Sequence, residues 1–176
     1  MKRNWIWMMV VCLVLVAAAA YAAEPETVPA APTSSADFMK LKSLVGSWEG
    51  TSTSQTHGEQ PAKVDYKLTS GGSALVETLF PGTDHEMVSV YHDRKGSLSM
   101  THYCMLRNQP ELDVTKSGDN QIVLDFSPRS AIEPNESHMH RLTITFTDPD
   151  HIVQEWAFYD GGEQKDSTKI SLSRVK

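Results

Sequence analysis

From residue 46 onward, one hydrophobic pattern constrains the fold more than any other feature of the chain. Apolar and polar residues alternate with a period of two, as at Val64, Tyr66 and Leu68, which is typical of strands with one buried face. Short clusters of Gly, Pro, Asp, Asn and Ser separate these segments, and such clusters join antiparallel neighbours. No segment here has room for the helix that a parallel crossover needs, so parallel folds are disfavoured.

The alternating segments number about ten. They cover residues 47–54, 62–70, 73–80, 86–93, 97–106, 111–116, 121–127, 137–147, 151–159 and 167–175. Only the link 128–136 is long, whereas a Greek-key sandwich needs longer returns between its sheets. We therefore predict an all-β protein, an up-and-down antiparallel β-barrel of about ten strands.

A short helix is predicted ahead of the first strand. Phe38, Leu41 and Leu44 recur at helical spacing, Ser35 is suited to cap the start of the helix, and Gly46 is suited to end it.

The N-terminal segment predicts export. Lys2 and Arg3 precede an apolar run that ends in Ala20-Tyr21-Ala22, the pattern of a signal peptide. We expect cleavage after Ala22, which assigns residues 1–22 to the signal peptide, 23–36 to a flexible tether rich in Pro, Ala and Ser, and 37–176 to the barrel. The alternative is an uncleaved anchor, but the run is shorter than the roughly 20 residues that span a bilayer. The expected location is periplasmic or extracellular.

Charge and cysteine content exclude several classes of protein. The formal charge is −6, and loss of the two bases Lys2 and Arg3 takes it to −8. A chain this acidic is not expected to bind nucleic acid, or to stay in a membrane once the leader is cleaved. Cys104 is the one cysteine outside the leader, so the mature chain cannot form an internal disulfide.

The segment Gly46-Ser47-Trp48 resembles the start of the first strand in the calycin superfamily, which includes lipocalins, fatty-acid-binding proteins and nitrobindin-like barrels. The chain looks like a secreted bacterial calycin-like protein from about Phe38 to Val175. The resemblance implies that Trp48 closes one end of the barrel and that Arg174 stacks on its ring.

Two ligand assignments of these families do not transfer. Nitrobindin-like proteins bind haem through a histidine of the last strand, and residues 167–175 contain no histidine, so haem is disfavoured. Fatty-acid-binding proteins carry an Arg-x-Tyr pair near their end, whereas Val175 and Lys176 follow Arg174 here.

Strand alternation predicts a cluster of metal-binding side chains inside the barrel. In segment 97–106, His102 and Cys104 share the face of Leu98, Met100 and Leu106. In segment 137–147, His138 and His140 share the face of Leu142, Ile144 and Phe146.

Residues two apart on a strand are separated by about 6.6 Å, from which both imidazoles can reach one ion. A site for zinc, copper or iron made of His102, Cys104, His138 and His140 is one hypothesis. The other is that the histidines are ordinary hydrogen-bonded residues and Cys104 a small buried hydrophobe.

The leading functional prediction is an exported barrel that binds a small apolar or amphipathic molecule. The polar anchors are expected to be His102, His138 and His140. The expected apolar lining is Leu98, Met100, Leu124, Phe126, Leu142, Ile144, Trp156 and Phe158.

Two alternatives remain open at the sequence level. One is a metal-dependent or acid–base enzyme that uses the same histidines, although the sequence has no Gly-x-Ser-x-Gly elbow and no phosphate-binding glycine motif. The other is a structural envelope protein whose barrel is filled by its own side chains.

Overall fold

The structure, a computed structural model, describes residues 34–176. The predicted signal peptide 1–22 and tether residues 23–33 lie outside the described residues. The helix α1 spans Ala36–Lys42, and the Ser35 hydroxyl caps it by accepting a hydrogen bond from the Phe38 N–H at 3.1 Å. In the part of the chain that the structure describes, no helix is long and apolar enough to cross a membrane.

Ten antiparallel strands follow α1 and close into a single barrel, in which each strand pairs with its neighbours in sequence and β1 pairs with β10. They are β1 Gly46–Ser54, β2 Gly58–Thr69, β3 Ala74–Leu79, β4 Met87–Arg94, β5 Ser97–Tyr103, β6 Glu111–Ser117, β7 Gln121–Phe126, β8 His138–Asp148, β9 His151–Asp160 and β10 Glu163–Arg174. A short 3₁₀ turn, Ser70–Gly72, joins β2 to β3. The predicted all-β, up-and-down barrel with a short N-terminal helix is confirmed.

One strand bound differs from the prediction in a way that matters for the site. β5 ends at Tyr103, so Cys104 and Leu106 lie in the loop after it and do not extend its inward row, as the alternation alone predicted. The Cys104 N–H donates to the Asn108 carbonyl at 3.1 Å, and the Arg107 N–H donates to the Cys104 carbonyl at 2.9 Å. These hydrogen bonds within the turn replace the hydrogen bonds between β5 and its neighbouring strands, so β5 ends here.

The seam between β1 and β10 closes the barrel, and it requires a glycine. Gly50 pairs with Leu172, and a Cβ built on Gly50 would lie 1.9 Å from the carbonyl oxygen of Ser171. No side chain fits at that distance, so Gly50 allows the first and last strands to approach closely.

The barrel has two different ends. At the closed end, α1 lies against the turns of the β-strands: Ser35 donates to Asp93 at the end of β4, and the Lys40 ammonium donates to the carbonyl of Gly118, after β6, at 2.8 Å. The open end carries the loops 55–57, 80–86, 104–110, 127–137 and 161–162.

The ring of Trp48 fills the closed end. Its indole N–H donates to the Leu44 carbonyl at 2.8 Å, and the guanidinium carbon of Arg174 lies 4.3 Å from the ring centre. The same guanidinium donates to the carbonyls of Val45 and Ser43 at 2.9 and 2.8 Å. Together these contacts bind the segment after α1 to the last strand.

Candidate functional site

A cavity of about 490 Å³ lies at the open end of the barrel, within the range typical of small-molecule sites. Its inner wall is mostly apolar and consists of the buried side chains of Leu79, Trp156 and Ile170 together with two polar residues, Ser52 and His102. Its rim carries hydroxyl, amide, imidazole and thioether groups. Among the described residues, no Asp, Glu, Lys or Arg lines this cavity, so its walls carry no permanent charge.

His102 is one of the two polar residues of the inner wall. Its ring centre lies 4.7 Å from that of Trp156, and its Nδ1 lies 3.0 Å from the Ser89 hydroxyl. The side chain is 1 % exposed, and burial lowers the pKa of His102 to about 4. The imidazole is therefore neutral at physiological pH.

Behind this wall lies a buried carboxylate, Glu77, held by three strands. Tyr66 and Tyr91 each donate an O–H to it, at 2.7 and 2.8 Å, and the Gln154 amide also donates to it. Trp156 completes the chain, because its indole N–H donates to the Gln154 carbonyl oxygen at 3.0 Å. The cavity wall is thus tied to an internal hydrogen-bond network.

Burial and hydrogen bonding act on Glu77 in opposite directions. Burial is the larger effect and raises the pKa of the carboxyl group, whereas hydrogen bonds from Tyr66, Tyr91, Gln154 and Ser89 lower it. The pKa values of both tyrosines are raised well above their usual value, first by burial and then by the nearby carboxylate. The tyrosines therefore stay protonated and act as donors.

The network also selects the tautomer of His102. The Ser89 hydroxyl lies 3.0 Å from Nδ1 of His102 and is also among the groups whose hydrogen bonds lower the pKa of Glu77. We therefore assign the Ser89 proton to Glu77, which leaves the Ser89 oxygen to accept a hydrogen bond from His102. Nδ1 of His102 then carries the hydrogen, and Nε2 holds a free lone pair. Within residues 34–176, Nε2 has no hydrogen-bond partner. Nε2 of His102 is therefore a hydrogen-bond acceptor on the inner wall.

A β-bulge changes the direction of the predicted histidine pair. The register between β8 and β9 shifts between Met139 and Arg141, which leaves His140 as the extra residue. As a result Met139 lines the cavity, and His138 and His140 are not among its lining residues. The simple alternation that predicted both imidazoles in the lumen does not continue through the bulge.

His138 and His140 instead bind each other. Nδ1 of His138 donates to the Glu136 carbonyl at 2.7 Å, and Nε2 of His138 accepts from Nδ1 of His140 at 2.9 Å. The rings of Phe126 and Tyr159 stack on His140, with centres 5.4 and 3.9 Å away. Burial, followed by the neighbouring His138, lowers the pKa of His140. The pair forms a packed aromatic cluster outside the cavity.

The four proposed metal ligands do not come together. His102 is at the cavity wall, Cys104 is in the loop after β5, and the other two histidines form their own pair. Across residues 34–176, no three His, Cys, Asp or Glu side chains are close enough to share a metal ion. Burial raises the pKa of the Cys104 thiol, which favours the protonated form.

Of the eight residues predicted to form the apolar lining, six lie in the cavity wall or in the core, and Phe126 and Phe158 lie in neither. Trp156 lines the cavity. The side chains of Leu98, Met100, Leu124, Leu142 and Ile144 are fully buried in the core instead. These side chains fill the half of the barrel nearer the closed end.

The buried network was missed at the sequence level, although alternation contained the signal. Glu77 shares its face of β3 with Leu75 and Leu79, and Gln154 shares its face of β9 with Ile152 and Trp156. A polar residue inside an apolar row of a strand is expected to need buried partners. The partners themselves, on β2 and β4, could be identified only from the three-dimensional pairing.

Fold and site together define a closed ten-stranded β-barrel with a cavity at its open end. A scan against models of protein families finds no match, and a search of curated proteins finds none either.

Solved structures share the fold. Rv2717c from M. tuberculosis is similar with a TM-score of 0.56 and 15% identity over 82% of this chain and 100% of that one. A protein of unknown function from the DUF3598 family of Nostoc punctiforme is similar with a TM-score of 0.52 and 14% identity over 77% of this chain. This chain spans about half of the Nostoc protein, 49% of its length. These likenesses are to the fold alone.

Proposed function

We propose that this protein binds a small, uncharged, largely apolar molecule in the open-end cavity. The observation that carries the proposal is a cavity of about 490 Å³ whose inner wall holds two uncharged polar groups, the His102 imidazole and the Ser52 hydroxyl, among apolar side chains. A barrel with a purely structural role would have no need to keep this volume unfilled, since unfilled space costs stability. Few polar groups in an apolar cavity are typical of ligand recognition.

The charges around the cavity limit the chemistry of the ligand. An anionic head group would lose its hydration without gaining a cation, because no Lys or Arg lines the described cavity. An uncharged ligand with a hydroxyl, amide or amine N–H donor would instead match the free lone pair on Nε2 of His102. Trp156, against which His102 packs, offers a flat apolar surface beside that donor.

The same proposal includes export and a calycin-like relationship. The N-terminal pattern of Lys2, Arg3 and Ala20-Tyr21-Ala22 supports cleavage by signal peptidase, and the Gly-x-Trp start of β1 supports the calycin-like assignment. Cleavage is tested by the N-terminal sequence of the protein recovered from its native compartment, which is expected to start at Ala23. An intact Met1 would contradict export by this route.

Two fluorescent compounds with a common skeleton test the binding proposal. N-phenyl-1-naphthylamine is uncharged and has one N–H donor, and 8-anilinonaphthalene-1-sulfonate adds an anionic group to the same skeleton. We expect the uncharged compound to bind at least tenfold more tightly, because the described cavity walls offer no cation to pair with the sulfonate. Equal affinity for the two compounds would contradict the proposed cavity chemistry.

A variant and a methylated probe test the role of His102. His102→Leu removes the acceptor, and we expect a three- to tenfold loss of affinity for the N–H compound, about the effect of one hydrogen bond. The N-methyl analogue has no donor, so the same substitution is expected to leave its affinity nearly unchanged. An equal loss for both compounds would mean that His102 acts only by shape.

A further inference from the structure

Two loops at the rim of the cavity bring a nitrogen and a sulfur donor together. Nδ1 of His85, in the loop between β3 and β4, lies 3.3 Å from Sδ of Met105, in the loop between β5 and β6. The two residues are 20 positions apart in sequence, and both line the cavity. A thioether is only a weak hydrogen-bond acceptor, so this contact gains little energy as a hydrogen bond.

The distance between the two atoms suits two ligands of one metal ion. Bonds of about 2.0 Å to nitrogen and about 2.3 Å to sulfur, at a near-tetrahedral angle, place the two donors about 3.5 Å apart. The observed 3.3 Å is within a few tenths of an ångström of that value. The two side chains are therefore arranged so that an ion could bind with little movement of either loop.

Further thioethers lie around the same cavity. Met87 and Met139 line it together with Met105, and Met87 follows His85 by two residues at the start of β4. Thioethers select soft metal ions such as Cu(I), imidazole suits copper, and carboxylates suit hard ions such as Mg²⁺ and Ca²⁺. With thioethers and imidazoles and, among the described lining residues, no carboxylate, the rim offers soft donors.

The absence of charged groups among the described lining residues favours a monovalent ion over a divalent one at this rim. Moving an ion into a site without compensating anions costs free energy that rises steeply with the charge of the ion. A divalent ion would find no carboxylate among the described residues of this cavity wall. A monovalent soft ion has the lower desolvation cost.

We propose that the rim of the open-end cavity binds a soft monovalent metal ion, Cu(I) or Ag(I), through Nδ1 of His85 and Sδ of Met105. Met87 or Met139 supplies a further thioether from the cavity wall. This site uses rim groups of the same cavity and none of the inner-wall side chains, so its ligands differ from the proposed small-molecule contact at His102. It also differs from the predicted cluster of His102, Cys104, His138 and His140.

Titration with Ag(I), which is redox-inert, tests the proposal on the whole chain with its methionine methyl groups labelled with ¹³C. In a Cys12→Ser, Cys104→Ser background, which removes the thiols that would take up Ag(I) first, we expect the Met105 methyl resonance to shift on addition of Ag(I), together with that of Met87 or Met139. Met39, exposed on α1 at the closed end, is expected to stay unchanged. Each methionine gives its own methyl signal, so binding of Ag(I) by Met8 or Met9 is distinguished from binding at Met105.

Matched variants give the affinity. Met105→Leu keeps the size of an exposed side chain and removes its sulfur, and we expect at least tenfold weaker binding of Cu(I) in competition with a chromophoric chelator under anaerobic, reducing conditions. His85→Gln is expected to have a similar effect. Met39→Leu and Cys104→Ser, which change a distant thioether and the neighbouring thiol, are expected to bind as the parent protein does.

Three results would overturn the metal site. They are an unshifted Met105 methyl, a Met105→Leu variant with unchanged affinity, and loss of binding in Cys104→Ser alone, which would assign the ion to the thiol. His85 and Met105 line the same cavity as the proposed small-molecule site, so the probe separates the two proposals: naphthylamine binding is measured without metal, and Ag(I) binding is measured without naphthylamine. The two proposals can therefore fail independently.

Discussion

The closed and open ends of the barrel belong to the same ten strands but are completed in different ways. At the closed end, Trp48 and the buried face of α1 fill the interior, and Arg174 binds the chain across the seam. At the open end, loops of different lengths surround a cavity whose inner wall is held by the network of Glu77. The strands thus form one continuous barrel, and the segments at each end determine whether the interior there is filled by side chains.

Because of this difference, the closed end contributes mainly to the stability of the barrel, and the open end is the part available for binding. Side chains at the closed end have neighbours on every side, so truncating them leaves a cavity. Side chains of the open end already face unfilled space, so truncation there removes fewer contacts. The expected effects of substitution therefore fall from the closed end to the open end.

The largest expected effect compares two tryptophans. Trp48→Ala removes a fully buried ring and the stacking of Arg174, and we expect the free energy of unfolding to fall by about 3–5 kcal/mol. Trp156→Ala removes a ring that faces the cavity, and we expect a loss of about 2 kcal/mol. Denaturant unfolding measures both, and an equal loss would contradict the distinction between the two ends.

The next effect concerns the network between the ends. Glu77→Leu leaves the hydroxyls of Tyr66 and Tyr91 and the Gln154 amide without their acceptor, and we expect a loss on the order of 3 kcal/mol in the free energy of unfolding. Tyr91→Phe removes one donor only and is expected to cost about 1–2 kcal/mol. A neutral Glu77→Leu would mean that the buried network does not stabilise the cavity wall.

Burial of His102 in the inner wall is expected to make the free energy of unfolding depend on pH. The pKa of His102 is about 4 in the folded protein against 6.5 unperturbed, so between these values the unfolded chain binds a proton that the folded chain does not. Stability is therefore lost as pH falls from 6.5 to 4, by about 3 kcal/mol in total.

His102→Gln isolates this effect, because glutamine can still bond to Ser89 and does not titrate. The raised pKa of Glu77 has the opposite sign, since its stability cost appears as pH rises above 4.5, but it is common to both proteins. We expect the stability difference between parent and variant to change by about 3 kcal/mol over the interval. A constant difference would contradict a buried neutral His102.

The smallest expected effect on stability is at the rim. Thr168→Trp places a large ring into the cavity mouth, where we expect less than about 1 kcal/mol of change in unfolding free energy but at least tenfold weaker binding of N-phenyl-1-naphthylamine. Thr53→Trp, on the exposed face of β1, is the matched control and is expected to bind normally. Equal binding by both variants would contradict the location of the ligand.

The sequence predicted the barrel well because the fold depends on a repeated local pattern. Period-two alternation, short turns and the Ser35 cap each report on a few neighbouring residues, and ten strands of this kind have few ways to close. The motif Gly46-Ser47-Trp48 also indicated the position at which the first strand begins.

The site was predicted less well because it depends on breaks in that pattern. His102 was correctly placed on the inward face of β5, but the bulge at His140 and the early end of β5 moved the other predicted ligands away from it. The cavity itself depends on how much of the interior Leu98, Met100 and Leu142 fill. Alternation shows which side chains point inward and not how closely they pack.

The most direct test of the account is methyl NMR during titration with N-phenyl-1-naphthylamine. We predict that resonances of Met87, Met139 and Ile170, around the cavity, shift with saturation, whereas those of Met100, Ile122 and Ile144, in the filled core, change little. Shifts centred on the core, or none around the cavity at saturating probe, would contradict an open end that binds and a closed end that only stabilises.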